Sequence, residues 1–430
     1  MQHEKISLKT AILLNINIMI GSGILIGPGR IAQVAGNASF LAWPLVALLF
    51  LPLVLCTVQL SRMFPGCGGF YSYAKSGMNT AAGFASGWLY VMGYAFCIAV
   101  DVMALREFCL PWIQTAPLTF YIPCLAAFFA LNLLGLRLLS AILDSLTITK
   151  IVPLVALILL LPFVINFDYT ISAAAMSAVP MSLPLAMFGF FGFEACCGIS
   201  HLIENAERNA PRAIAYGFMI TAALYTLFHF GLLQVMGAEN LAKYGAPAFV
   251  NYLDLPIPYL ASLLGLLIPI SAVLTVIASA NGLLNANSIM LHSLASEGIF
   301  KGSHLLAKTT GNNRPWAAIL LQIALVFILL ITIQDMGIIA SLCIFSVLLA
   351  FIFPFLSLLI LQKKKQAFKH MALTIIALIF VIALAAYSWY TLGTNVVDRC
   401  IYSLPLIAVM LTGYFLYTGE PKRGHHGGAR

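Results

Sequence analysis

Charge is scarce in this chain. Only 8% of its 430 residues are Asp, Glu, Lys or Arg, where a soluble domain carries about 25%. With 62% hydrophobic residues, this excludes a water-facing globular domain and predicts an all-α polytopic membrane protein. Long polar stretches are missing too, so no separate soluble domain is expected between the apolar runs. No Cys-x-x-Cys pair or Cys/His metal spacing occurs among the nine cysteines, which excludes the common zinc and redox motifs. Cys56, Cys97, Cys196 and Cys197 lie in apolar runs and read as small reduced hydrophobes. No Gly-x-x-x-x-Gly-Lys-Ser/Thr loop, His-Glu-x-x-His, Gly-x-Ser-x-Gly or paired-Asp motif appears, so neither an ATPase partner nor an intramembrane enzyme is expected. No cofactor and no metal site is expected either. A cleavable leader is not expected, because the first apolar run is long, lacks a small-residue cleavage site and leads into further apolar runs.

What is present is a succession of apolar runs. A membrane span needs about 20 mostly apolar residues. Twelve runs qualify: 11–35, 38–61, 83–105, 117–136, 142–165, 181–202, 211–236, 258–292, 315–333, 336–361, 371–391 and 399–418. An even number places both termini on one side. If that side is cytoplasmic, seventeen of the 22 Lys and Arg lie inside, four lie outside (Arg30, Arg106, Lys243, Arg399), and Lys150 lies within a span. That asymmetry satisfies the positive-inside rule. The net charge of +8 is scattered through short loops, which argues against nucleic-acid binding. Lys363, Lys364 and Lys365 read as a topological anchor. The polar stretch 419–430 reads as a disordered cytoplasmic tail.

Two spans carry residues that helices tolerate poorly. The first contains "NINIMIGSGILIGPGR", residues 15–30, and the sixth contains "MFGFFGFEACCGIS", residues 187–200. Irregular backbone at membrane depth survives only where it is buried in protein or lines a cavity. A half-helix N-terminus there offers free N–H groups and a positive dipole end, which suit a carboxylate. Gly21-Ser22-Gly23-Ile24 therefore reads as an unwound hinge whose amides bind an anionic group. The alternative is that these glycines let helices pack closely. The first span runs inside to outside and the sixth runs outside to inside. Interruptions at matching positions in two halves of opposite topology point to an inverted-repeat transporter with a midplane site. Spans 1–5 and 6–10 would be the repeats (1–362), with spans 11 and 12 (363–418) appended.

Four motifs carry a resemblance to the amino acid–polyamine–organocation superfamily of secondary transporters. They are "GSGILIGPG" in span 1, "PGCGGFYSYAKSGM" at 65–78, "FFGFEACCGISHLIENAERNAPRAI" at 190–214 and "SANGLLNANSIMLHSLASEGIF" at 279–300. The resemblance covers spans 1 to 10. It implies a five-plus-five inverted repeat (LeuT-like) with broken helices 1 and 6 and alternating access. It also implies an amino-acid site in which amides around Ser22, Gly23 and Ile24 hold the α-carboxylate. Carbonyls near Ile18, Met19, Phe188 and Gly189 would hold the α-amino group, beside the hinge glycine Gly21. Phe188 matches the family's aromatic gate. Tyr94, Ala95, Phe191 and Leu283 would shape the side-chain pocket, although a plain packing role for Tyr94 stays open.

Ionisable residues within spans are functional hypotheses by default. From position alone, Lys150 reads equally as a snorkelling lysine or a functional one. Thr147-x-x-Lys150 resembles the span 5 lysine of sodium-independent members, whose ammonium takes the place of a sodium ion. Its partners would be carbonyls of the unwound span 1 and Ser279, and it would sense or carry a proton. Glu194 at the span 6 break reads as a gating or proton-linked carboxylate, or as a structural one. In the family a glutamate here resembles the basic amino acid and polyamine antiporters, whereas Leu283 lacks the ring that a long cationic substrate would use. Asp101 reads either as a group on a cation's entry path, which would support the antiporters, or as a partner of Arg106, and the pairing is the favoured expectation. His201, His229 and His292 are expected to be packed or surface histidines.

The expected function is a secondary amino acid permease in the lipid bilayer, proton-coupled or an exchanger and sodium-independent. A basic amino acid or polyamine antiporter is the alternative. A non-transporting sensor or a channel is remote, since no added domain or filter loop is seen. The compact loops point to a bacterial inner membrane.

Overall fold

A computed structural model describes residues 5–419 apart from 67, 111, 165–168 and 253–257. Lys422, Arg423, Arg430 and nearly all of the expected tail lie outside the described residues. Among these residues fifteen α-helices follow one another: α1 Leu8–Met19, α2 Ser22–Ala35, α3 Ala42–Met63, α4 Gly69–Gly77, α5 Thr80–Cys109, α6 Pro117–Asn132, α7 Leu136–Val164, α8 Ala173–Met187, α9 Ala206–Tyr244, α10 Pro258–Ser296, α11 Ser303–Leu306, α12 Trp316–Thr332, α13 Met336–Lys364, α14 Phe368–Tyr390 and α15 Val396–Leu416. Among the described residues there is no β-strand, only two isolated bridges, Ile6 with Ile203 and Phe300 with Tyr417.

Small polar residues start several helices, as the free N–H groups of a first turn require. Ser7 accepts from the Thr10 amide at 3.3 Å, Asn79 from Ala82 at 2.8 Å, Ser172 from Ala175 at 3.1 Å and Asn395 from Asp398 at 2.8 Å. Asp335 caps α13 through the amides of Gly337 and Ile338. α2 has no such local cap.

Nine segments among the described residues are long and apolar enough to cross a membrane, and α1, α6 and α12 are shorter apolar helices. Large apolar side chains face outward, among them Leu48 at 65%, Leu159 at 69% and Met181 at 70% exposure. Such a surface would be insoluble in water but is matched to acyl chains. The molecule is an integral, multi-pass membrane protein. α5 is its axis: nearly every residue from Ala82 to Leu105 is buried, and α10, α12 and α13 pack along it.

The expected spans differ from the observed helices in instructive ways. The first span is two helices, α1 and α2, that meet at Ile20 and Gly21, so Ser22, Gly23 and Ile24 are the first turn of α2 and not part of an unwound loop. The sixth begins earlier, at Ala173, and its helix stops at Met187; the chain then passes through short 3-10 turns to Leu202. Helical geometry in α9 is interrupted at Gly237, whose φ is +71°. The Gly68-Gly69-x-Tyr71 motif opens α4, which packs on α5 and α13.

Candidate functional site

A helix leaves its last four carbonyls without intrahelical partners, and no water reaches them in a hydrocarbon layer. For α1 these are the carbonyls of Asn17, Ile18, Met19 and Ile20. Side chains from three other helices meet all four. Lys150 Nζ of α7 donates to Asn17 O at 2.6 Å and to Ile20 O at 2.5 Å. Tyr225 of α9 donates its hydroxyl to Met19 O at 2.5 Å, and Ser279 Oγ of α10 donates to Ile18 O at 3.2 Å. Lys150 is fully buried and reaches inward, so it does not snorkel.

At the other side of the break, the start of α2 is capped from α5. Asp101 Oδ1 accepts from the Ser22 amide at 3.2 Å and from Ser22 Oγ at 2.6 Å. The expected pairing of Asp101 with Arg106 is absent; Arg106 donates instead to Thr115 O at 3.3 Å. Five residues along a helix is not a same-face spacing, so the sequence already held a signal against that pair.

The second interruption lies against the first. A Cβ on Gly23 would stand 3.1 Å from Gly189 Cα, and one on Gly192, whose φ is +103°, would stand 2.4 Å from Ile18 Cγ2. Gly21 sits in the break, and Gly23 and Gly189 permit close approach, as the packing reading of these glycines requires. Asn15 Oδ1 accepts from the Cys196 amide at 3.2 Å, which ties α1 to the turns after α8. Glu194, fully buried, accepts the Tyr94 hydroxyl on Oε1, and its Oε2 has no hydrogen-bond partner among the described residues.

A cavity of about 420 Å³ reaches the start of α2. Its walls include Ser22, Gly23, Phe188 and Ile344, together with the half-buried Arg30 and the exposed Asp335. Of the eleven residues expected to bind substrate, Ser22, Gly23 and Phe188 line this space. Ile18, Met19, Gly21, Ile24, Tyr94, Gly189, Phe191 and Leu283 lie buried outside its walls, as does Ala95. Aromatic packing holds Phe191 and Tyr94 there. Phe191 stacks edge-on against Phe50 at 5.6 Å, Tyr94 packs on Tyr90 at 4.7 Å, and Trp43 lies 4.7 Å from Tyr225.

Tyr225 is a break residue that the sequence reading missed; a tyrosine in an apolar helix gives no signal of its partner. His229, expected to be packed, is buried between Trp43 and Ser39. The Trp43 indole donates to Nδ1 at 2.8 Å, so Nδ1 is an acceptor and Nε2–H is left to face Ser39 Oγ at 3.1 Å. His292 Nδ1 lies 3.2 Å from Leu306 O. Among the described residues no group of three or more His, Cys, Asp or Glu could hold a metal ion.

Where the chain enters α1, the segment before it pairs with the turns that follow α8. The Ile6 amide donates to Leu202 O at 2.8 Å, and the Glu204 amide donates to Ile6 O at 3.0 Å. Glu297, just after α10, accepts from Lys75 of α4 at 2.9 Å and from the Tyr71 hydroxyl at 2.8 Å.

The chain belongs to the amino acid permease family, whose sequence profile matches residues 6–413. It is 24% identical to the serine/threonine exchanger SteT of Bacillus subtilis over 98% of this chain and 97% of that protein. It is 25% identical to the amino-acid permease RocC of the same organism, over 71% and 68% of the two chains. It is 26% identical to the human b(0,+)-type amino acid transporter 1, over 65% and 60%. The family and these relatives are transporters and not enzymes, and the amino acid–polyamine–organocation assignment stands.

Proposed function

We propose that this protein is a sodium-independent secondary transporter of amino acids that works by alternating access, as an exchanger or coupled to protons. The observation that carries the reading is the Lys150 ammonium on the carbonyls of Asn17 and Ile20, a fixed cation at a break whose far side, the start of α2, forms a cavity wall. In the architecture we favour, twelve spans place both termini in the cytoplasm of a bacterium, with the protein in its inner membrane. Residues 1–362 form two inverted five-helix repeats, and 363–418 form two appended helices. The substrate's carboxylate meets Ser22 and Gly23, its amino group the carbonyl side near Ile18, Met19 and Gly189, and Phe188 closes over it. Tyr94, Phe191, Leu283, Gly21 and Ile24 complete the pocket once the aromatic packing opens. In this topology the mouth at Arg30 and Asp335 faces outward, and the Ile6–Leu202 pairing seals the cytoplasmic side.

One observation favours a second reading, a basic amino acid or polyamine antiporter. Glu194 is buried at the second break with Oε2 unpartnered, a carboxylate able to take a cationic group. Counterflow in proteoliposomes separates the two. Vesicles preloaded with mixed unlabelled amino acids are offered labelled alanine, leucine and arginine, with and without an inward proton gradient. Accumulation of a neutral amino acid supports the first reading, and dependence on the gradient marks proton coupling. Accumulation of arginine alone supports the second. Accumulation of none overturns both for these three substrates.

A further inference from the structure

The break in span 1 is occupied by the protein's own charges. The carbonyl end holds the Lys150 ammonium, and the amide end holds the Asp101 carboxylate on Ser22 N and Oγ. These are charges of the same two signs as those of an amino acid zwitterion, and the carboxylate stands on the donors of Ser22 that the proposed site gives to the substrate's carboxylate. Ser22 and Gly23 also form the cavity wall, so any carboxylate entering from the cavity competes with Asp101 for the same donors. Asp101 is 1% exposed, and its Oδ2 has no hydrogen-bond partner among the described residues.

We propose that Asp101 is an internal surrogate for the substrate's carboxylate. It holds Ser22 in the empty carrier and yields that amide and hydroxyl, taking up one proton from solution, when a carboxylate-bearing substrate binds. The inference rests on the amino acid transport reading above. Two carboxylates sharing one small site do not both stay ionised. Neutralisation must fall on the group that gives up its donors, because the incoming carboxylate gains them. The proton bonds to a carboxylate oxygen of Asp101, with Oδ2 free to take it, and it returns to solution when the substrate leaves.

The groups that face Asp101 leave it as the site of uptake. Ser279 faces it from α10 and Lys150 from α7, and Lys150 is committed to the α1 carbonyls. From α9 the facing group is Tyr225, whose hydroxyl is committed to Met19 O. On α5 itself it is Cys97, which lies beside Cys343 of α13. α2 contributes only the neutral Ser22.

The test is isothermal titration of the purified full-length protein with L-alanine, L-leucine and L-arginine, in buffers of different ionisation enthalpy, which counts protons taken up per ligand. The wild type is expected to take up close to one proton, with Kd rising about tenfold per pH unit once Asp101 is ionised. The corresponding amino acid amides, lacking the carboxylate, are expected to bind without uptake. Asp101→Asn is expected to bind the acids with no uptake and a pH-independent Kd. Undiminished uptake in Asp101→Asn, or equal uptake with acids and amides, overturns the proposal. If Asp101→Asn does not fold, the acid–amide comparison on the wild type decides alone. Binding without any proton linkage sinks this inference and leaves the transport reading standing; absence of both binding and counterflow sinks the transport reading with it.

Discussion

Gly23 and Gly189 lie backbone to backbone, so that a Cβ on Gly23 would stand 3.1 Å from Gly189 Cα. This is where the two interrupted spans touch. An alanine at 189 would place its methyl 2.9 Å from Trp43 Cζ3 and 3.0 Å from Tyr225 Cε2. Overpacking of this kind costs about 1–3 kcal/mol. Gly189→Ala is expected to lower the apparent Tm on detergent gel filtration and to abolish counterflow. Gly198→Ala, whose nearest neighbour would be an ordinary 3.5 Å away, is expected to stay within about 0.5 kcal/mol of the wild type.

Removing the Lys150 ammonium strands two carbonyls. Hydrogen bonds to a charged group contribute about 1.5–3 kcal/mol each. Lys150→Ala is therefore expected to reduce counterflow at least tenfold and to change its pH dependence. Unchanged rate and pH profile in this variant would end the assignment of Lys150 to the coupling site.

Tyr94 and Glu194 form one unit through the hydroxyl–carboxylate bond. Contacting residues couple by about 0.5–3 kcal/mol in double-mutant cycles. Tyr94→Phe and Glu194→Gln are expected to be non-additive when leucine and arginine are compared as competitors of uptake. Strict additivity would show that the two act independently.

Two N–H donors, those of Ile6 and Glu204, pair the segment before α1 with the turns after α8. Ile6→Pro removes the donor to Leu202 O, a bond of 2.8 Å. A net loss of about 1 kcal/mol shifts an open–closed equilibrium about fivefold. Faster alkylation of the buried Cys196 and Cys197, followed by mass spectrometry, is the expected outcome. Equal labelling rates would mean that the pairing does not hold that end shut.

His229→Phe leaves the Trp43 indole N–H and the Ser39 hydroxyl without their partner. Each buried unsatisfied group costs about 1–3 kcal/mol. A drop in Tm that Trp43→Phe partly reproduces is expected; a stable His229→Phe protein would contradict a structural role for this histidine.

The legible part of the site was its backbone. Gly21 and the glycines after Met187 marked both interruptions, because a poor helix former acts on its own turn. Family motifs supplied Lys150 and pointed to Ser279. The pairing of Asp101 was misjudged because Arg106, a neighbour in sequence, faces elsewhere on the helix. The expected pocket positions Tyr94, Phe191 and Leu283 were named from sequence, yet how Phe191 meets Phe50, and how Trp43 meets Tyr225, depends on rings carried by different helices.

The sequence by itself determined that this is a helical membrane protein with two weakened spans, since hydropathy and helix propensity are properties of contiguous residues. Only the tertiary structure decided which side chains complete the broken span. Asp101 lies 79 residues from Ser22, Lys150 lies 133 from Asn17, Tyr225 lies 206 from Met19, and Ser279 lies 261 from Ile18. Each polar group in hydrocarbon must find a partner, but the identity of that partner is set by how the helices pack.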